Sequence, residues 1–146
     1  MAPISDSMPP IVVPRDVLAQ WGARWLSDIN EETGAPKPGG GQRFDRQQSV
    51  NFGYVFDNAV GEALAIMLGG IPLESPVGGS LLPPVADCVE VGSTRIVGGI
   101  RPQNYDVAYR PDGPRIVFDS KTLNDLKSVG KNWQNMVNDL ATEAAT

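Results

Sequence analysis

The sequence contains no histidine and a single cysteine, Cys88. Without histidine, Ser-His-Asp hydrolysis, histidine-ligated zinc and nucleases with a histidine base are excluded. A lone cysteine forms no intramolecular disulfide and reads as small, buried apolar filler. Hydrolytic chemistry, if present, must come from carboxylates, lysine or a metal. Positive charge is also scarce: 12 Lys and Arg stand against 17 Asp and Glu, a net charge of −5 over 146 residues. That balance argues against nucleic-acid binding on bulk electrostatics, but a local field or a bound cation can reverse it. No apolar run reaches the length of a membrane span. The opening MAPISDSMPPIVVP lacks the basic and apolar regions of a secretory leader. The expectation is a soluble cytoplasmic protein with no membrane partner.

The length suits one modest domain with a single core. Gly 16 and Pro 13 are high counts, so long loops are expected. Residues 1–14, with four prolines, read as an extended arm ahead of one domain over 15–146. Apolar residues at helical spacing, among them Trp21 and Trp25, predict a helix over 15–30, with Asp16 suited to its first turn. The two tryptophans read as core, with base stacking or a dimer contact as the functional alternatives. Residues 31–48 read as loop. Lys37, Arg43 and Arg46 there are either a solvated linker or a phosphate-touching loop. A second helix is predicted over 49–68, capped by Ser49 and ended by Gly69-Gly70. Residues 71–84 read as loop again. Short strands follow over 88–91 and 94–100, separated by Gly92-Ser93. Arg101, Gln103 and Asn104 then form a polar cluster that either contacts phosphate or a base edge, or closes a turn. A last helix is predicted over 123–144.

The most informative stretch is 104–123, NYDVAYRPDGPRIVFDSKTL. Two β-rich runs, 105–110 and 115–121, flank the turn signal Pro111-Asp112-Gly113-Pro114. This predicts a hairpin. Strand residues two apart share a face, so Asp119 and Lys121 lie together, with Val117 on that side. The reversal returns Asp106 to the side of Asp119. Two carboxylates and an ammonium at one end of a sheet suit a hard divalent cation plus a positive group.

An Asp, a hairpin and an apolar strand ending Asp-x-Lys resemble the PD-(D/E)xK nuclease superfamily. The wider segment GGIRPQNYDVAYRPDGPRIVFDSKTLNDLKSVGKNWQNMVNDL is most similar to a type II restriction endonuclease. Tyr105 stands where the name-giving proline would be. The resemblance implies an α/β (α+β) restriction-endonuclease-like core, with a central mixed β-sheet flanked by helices. It implies that Asp106 and Asp119 bind Mg2+, or Mn2+ in its place, with the Ser120 carbonyl as a further ligand. Lys121 would position or activate the attacking water. A helix acid often joins such sites, and both Asp57 and Glu62 qualify, although either also fits a solvated helix border. The implied partners are double-stranded DNA and a second copy, through a homodimer or an open sheet edge. Lys127, Lys131 and Gln134 fit either a DNA contact or a solvated helix face. The family fold adds a strand after its last helix, and none follows here. The expectation is therefore an N-terminal fragment with an incomplete sheet.

Two other classes compete. In one, the chain is a catalytically inactive or truncated nuclease-fold module for DNA binding or interaction, and Asp119 and Lys121 are an ordinary ion pair. In the other, Asp106 and Asp119 are a glycosidase-type acid and base. Lys121 weighs against the latter, because an adjacent cation lowers a carboxyl pKa when acid work needs it raised.

Overall fold

In the computed structural model, residues 3–98 and 101–121 are described. Their elements are α1 (Arg15–Leu26), α2 (Arg46–Met67), β1 (Leu73–Glu74), β2 (Val89–Ile96), β3 (Gln103–Tyr109) and β4 (Ile116–Phe118). Among them the strands form one sheet of four in the order β1-β2-β3-β4. β1 runs parallel to β2, and the other neighbours are antiparallel. Over the described residues the fold is α+β with an open mixed sheet and two helices. The helix expected over 123–144, and with it Lys127, Lys131 and Gln134, lies outside the described residues.

Helix α1 ends four residues sooner than its apolar spacing predicts. The Ser27 hydroxyl donates to the Ile29 carbonyl and accepts from its N–H, a local turn that competes with further helix. Of the freed carbonyls at this end, that of Arg24 is taken by Lys37, whose Nζ donates to it at 2.6 Å and also to the Arg43 carbonyl of the following loop at 2.8 Å. Lys37 is 4% exposed. It is neither a linker residue nor a phosphate contact: a buried ammonium caps the negative end of α1. Trp21 is also committed, packing against Phe44 and Phe52, which continue to Phe56. This aromatic cluster joins α1 to α2 and removes Trp21 from stacking or dimer contacts.

Helix α2 starts three residues before its predicted boundary. Its cap is Asp45 rather than Ser49. Asp45 Oδ1 accepts from the Gln48 N–H at 2.8 Å, and the Gln48 side chain accepts from the Asp45 N–H at 3.2 Å. This reciprocal capping box satisfies two helix-end donors. Gly69 and Gly70 end the helix with φ of 95° and 80°, as the sequence predicts. Val60, Leu64, Ala65 and Leu68 pack against Ile71, Val89, Val91 and Val107 to form the core. A Cβ on Gly61 would lie 2.4 Å from Val91 Cγ2, so this glycine sets how closely α2 approaches the sheet. Part of the stretch read as loop, Leu73–Glu74, adds β1 to the sheet edge.

The expected strands also change in extent. The run over 88–91 and the start of the run over 94–100 are one strand, β2, which ends at Ile96 and is interrupted by a bulge. Gln103 and Asn104 belong to β3 rather than to a turn. β4 is shorter than the predicted 115–121 run, for a reason that lies in the site itself.

Candidate functional site

The hairpin pairs Val107 with Phe118, Ala108 with Val117 and Tyr109 with Ile116. One step further, this register sets Asp106 opposite Asp119. Gly113, at φ 115°, lies in the turn, and the Arg115 N–H returns to the Tyr109 carbonyl at 3.0 Å. Ile116 and Phe118 pack on the core while Val117 is exposed, the alternation expected of a half-buried strand. Past Phe118 the ladder stops because the backbone is diverted to a side chain. The Ser120 N–H donates to Asp106 Oδ2 at 2.8 Å, and its hydroxyl donates to the same oxygen at 3.1 Å. Lys121 Nζ donates to Asp119 Oδ2 at 2.5 Å. The structure therefore brings Asp106, Asp119, Ser120 and Lys121 together.

A β-bulge lies on the other side of Asp106. Val91 faces Val107 and Thr94 faces Tyr105, so the register shifts by one between them. Gly92 and Ser93 together oppose Asp106. A bulge bends its strand and raises the local twist. Gly92 has φ 133°, and a Cβ there would meet Pro76 at 3.0 Å. The bulge requires glycine on both counts.

Helix α2 contributes Asp57 to this end of the sheet. A pocket of about 350 Å³ is lined by Ser49, Gly53, Asp57, Gly92, Ser93, Asp106 and Ser120, among others. Asp57 is 8% exposed. Its pKa is raised to about 6, first by burial and then by the Asp106 charge, with a Ser120 hydrogen bond opposing. Ser120 has one hydroxyl proton for two carboxylates. Among the described residues, Asp57 Oδ1 finds no hydrogen-bond partner. Glu62 is not brought to the site. It is exposed, accepts from Asn58 Nδ2 at 3.1 Å and lines a groove with Val12, Val17 and Tyr54.

The raised pKa of Asp57 has a sign that can be measured. Its folded value, about 6, lies above its ordinary 3.8, so the folded state holds this proton more tightly. The resulting stabilisation is full below about pH 4 and is lost as pH rises through about 6. At pH 7.5 the group destabilises the metal-free fold by roughly 2 kcal/mol, discounted for the pocket's solvent access. Asp57→Asn should therefore raise the urea midpoint at pH 7.5, have little effect at pH 4, and flatten the pH dependence between them.

A second groove, of about 550 Å³, opens beside Asp106 and is lined by Arg95, Arg101, Gln103, Asn104, Asp119, Ser120 and Lys121, among others. Sequence reasoning named its carboxylates and lysine but missed Arg95, the bulge and the choice of Asp57 over Glu62. The Gly92-Ser93 interruption was the available signal for the bulge.

The site's chemistry suits a hard cation. Its donors are all oxygens, the Asp106 charge adds to the burial that raises the Asp57 pKa, and one Asp57 oxygen is orphaned; a cation relieves each of these. Among the described residues, no group of three acidic or cysteine side chains is gathered closely enough to hold an ion unaided. No protein-family model, curated protein or solved structure matches this chain. None of its described helices is long and apolar enough to cross a membrane.

Proposed function

We propose that this chain is a magnesium-dependent DNA endonuclease of the PD-(D/E)xK kind, built on a restriction-endonuclease-like core. The observation that carries this reading is the convergence at one sheet end: buried Asp57 beside Asp106, with the Asp119–Lys121 pair across the hairpin. Asp106 and Asp119 would hold Mg2+, or Mn2+, with the Ser120 carbonyl as a further ligand and Asp57 as the helix acid. When bound, the ion supplies charge stabilisation to a five-coordinate phosphate and acidifies a water.

The chain's own residues supply orientation. Ser120, through its N–H and hydroxyl, fixes the rotamer of Asp106. Asp119 holds Lys121 at the groove, where the ammonium positions the attacking water or a phosphate oxygen. Water oxygen then bonds to phosphorus and one bridging P–O bond breaks. The substrate is double-stranded DNA. Association with a second copy through the sheet edge suits β4, one of the two edge strands among the described residues.

One observation favours a second reading, an inactive DNA-binding or interaction module of the same fold. Asp119 is engaged by Lys121, an arrangement that also serves as a simple ion pair. Cleavage of supercoiled plasmid by the full chain, in magnesium against EDTA, separates the two. Magnesium-dependent nicking or linearisation supports the nuclease. DNA binding without cleavage at any magnesium or manganese concentration supports the module.

A further inference from the structure

The groove beside the carboxylates carries cations that the proposed chemistry does not use. Arg95 pairs with Asn104 across β2 and β3. Arg95 and Asn104 thus form one row across the sheet, and Arg101, Gln103 and Lys121 line the same groove. The Asp106–Asp119 row lies two residues away along the strands, roughly 7 Å at ordinary strand rise. That distance is of the order of the separation between neighbouring phosphates of a nucleic-acid strand. The Arg95 and Arg101 side chains are exposed and make no ion pair with any described residue. Arg95 is anchored through its backbone, whose carbonyl accepts from Arg110 Nη1 at 2.9 Å, so its guanidinium stays available. In a chain of net charge −5, this groove holds Arg95, Arg101 and Lys121 against Asp106 and Asp119, and Lys121 pairs with Asp119, so the two arginines are its positive side.

We infer that Arg95 and Arg101, with Asn104, form a subsite for the phosphodiester next to the one at the carboxylates. This rests on the nuclease reading for its direction along the strand, but it makes a separate demand: the arginines hold DNA whether or not it is cut. A guanidinium matches a phosphate with two parallel hydrogen bonds. Asn104 adds a neutral donor between them. The ligand is the backbone of a DNA strand, so binding should be insensitive to base sequence at these contacts.

The test is fluorescence anisotropy of the full chain with a fluorescein-labelled duplex in EDTA, across a salt series. Arg95→Gln and Arg101→Gln should each weaken binding about tenfold and lower the salt slope by about one. Arg95→Lys should recover part of the loss. Arg15→Gln, on α1 and outside the groove, should leave both quantities unchanged. Far-UV spectra and urea midpoints equal to wild type would show that the variants fold. Inorganic phosphate and a free nucleotide, as competitors, should displace the duplex only at far higher concentration, as expected when several phosphates bind together. Unchanged affinity and slope in both arginine variants would overturn the subsite, as would absence of duplex binding by the wild type. The nuclease reading is judged separately. Asp106→Ala should bind duplex in EDTA at least as tightly as wild type, because a carboxylate that repels phosphate is gone, yet fail to cut in magnesium. Cleavage that persists in Asp106→Ala would sink the nuclease reading and leave the arginine result standing on its own.

Discussion

Asp106→Ala and Lys121→Ala should each lower magnesium-dependent plasmid cleavage by about 10³-fold or more, in the range seen when a positioned charge or proton-handling group is removed from a site. The two variants should differ in everything else. Asp106 is one of the two charges crowded at the pocket, and its presence helps raise Asp57 to about 6. Its removal should therefore lower the Asp57 pKa part of the way, burial still holding it up, and weaken the pH dependence of stability between 4 and 7. It should also free the Ser120 N–H and hydroxyl, both of which donate to Asp106 Oδ2. Lys121→Ala removes an ammonium whose side chain is 27% exposed, so its effect on stability should be small. It should leave the Asp57 titration in place. Activity loss in both variants, with a shifted titration only in Asp106→Ala, is the pattern this geometry requires. Unchanged cleavage in both would remove the site.

The second large effect is on folding and lies away from the chemistry. Arg110 is 3% exposed and Glu90 is fully buried. Nε and Nη2 of Arg110 donate to the two Glu90 oxygens at 2.6 and 2.9 Å. Nη1 donates to the Ser80 and Arg95 carbonyls, and Nη2 also donates to the Leu82 carbonyl. All of the guanidinium's donors are thereby used. The pair ties the loop around residues 80–82 to the sheet and joins the end of β3 to β2. Arg110→Ala leaves a buried carboxylate unpaired and takes a donor from the Ser80, Arg95 and Leu82 carbonyls, of which Leu82 keeps the Ser80 hydroxyl, and should cost about 3–5 kcal/mol. Against a total of roughly 5–15 kcal/mol for a domain, much of the variant should be unfolded near physiological temperature. Urea denaturation checks this. Replacing both partners with methionine should cost less than Arg110→Ala alone, because no charge is then left buried and unpaired. A single-variant loss below about 1 kcal/mol would show that water reaches the pair, contrary to its burial.

These two features were unequally legible in the sequence. The Asp106–Asp119 pairing follows from local information. The turn residues fix where the chain reverses, and the register then fixes which residues meet. Glu90 and Arg110 are 20 residues apart, and nothing in either neighbourhood says that they pair. Their meeting requires the β2–β3 register, which the bulge displaces by one. Lys37 was hidden for a similar reason. A lysine between prolines and glycines looks solvated, and its acceptors are the carbonyls of a helix end some distance back in the chain. The Asp45–Gln48 capping box, by contrast, was present as a sequence pattern, and the choice of Ser49 overlooked it. For Asp57 and Glu62, periodicity alone placed both at the borders of one apolar stripe. Only the seating of α2 on the sheet, at a separation set by Gly61, decides which acid meets Asp106.

The central claim is that Asp106 and Asp119, with the Ser120 carbonyl and with Asp57 beside Asp106, hold a hard cation. Calorimetric titration of magnesium into the full chain, without DNA, tests it most directly. The account predicts saturable binding in the millimolar range or tighter at pH 7.5. Binding should weaken below about pH 6, as Asp57 takes up its proton, and should be lost in Asp106→Ala and Asp119→Ala. Binding of equal strength in wild type and both variants, or none in the wild type at millimolar magnesium and manganese, would contradict it.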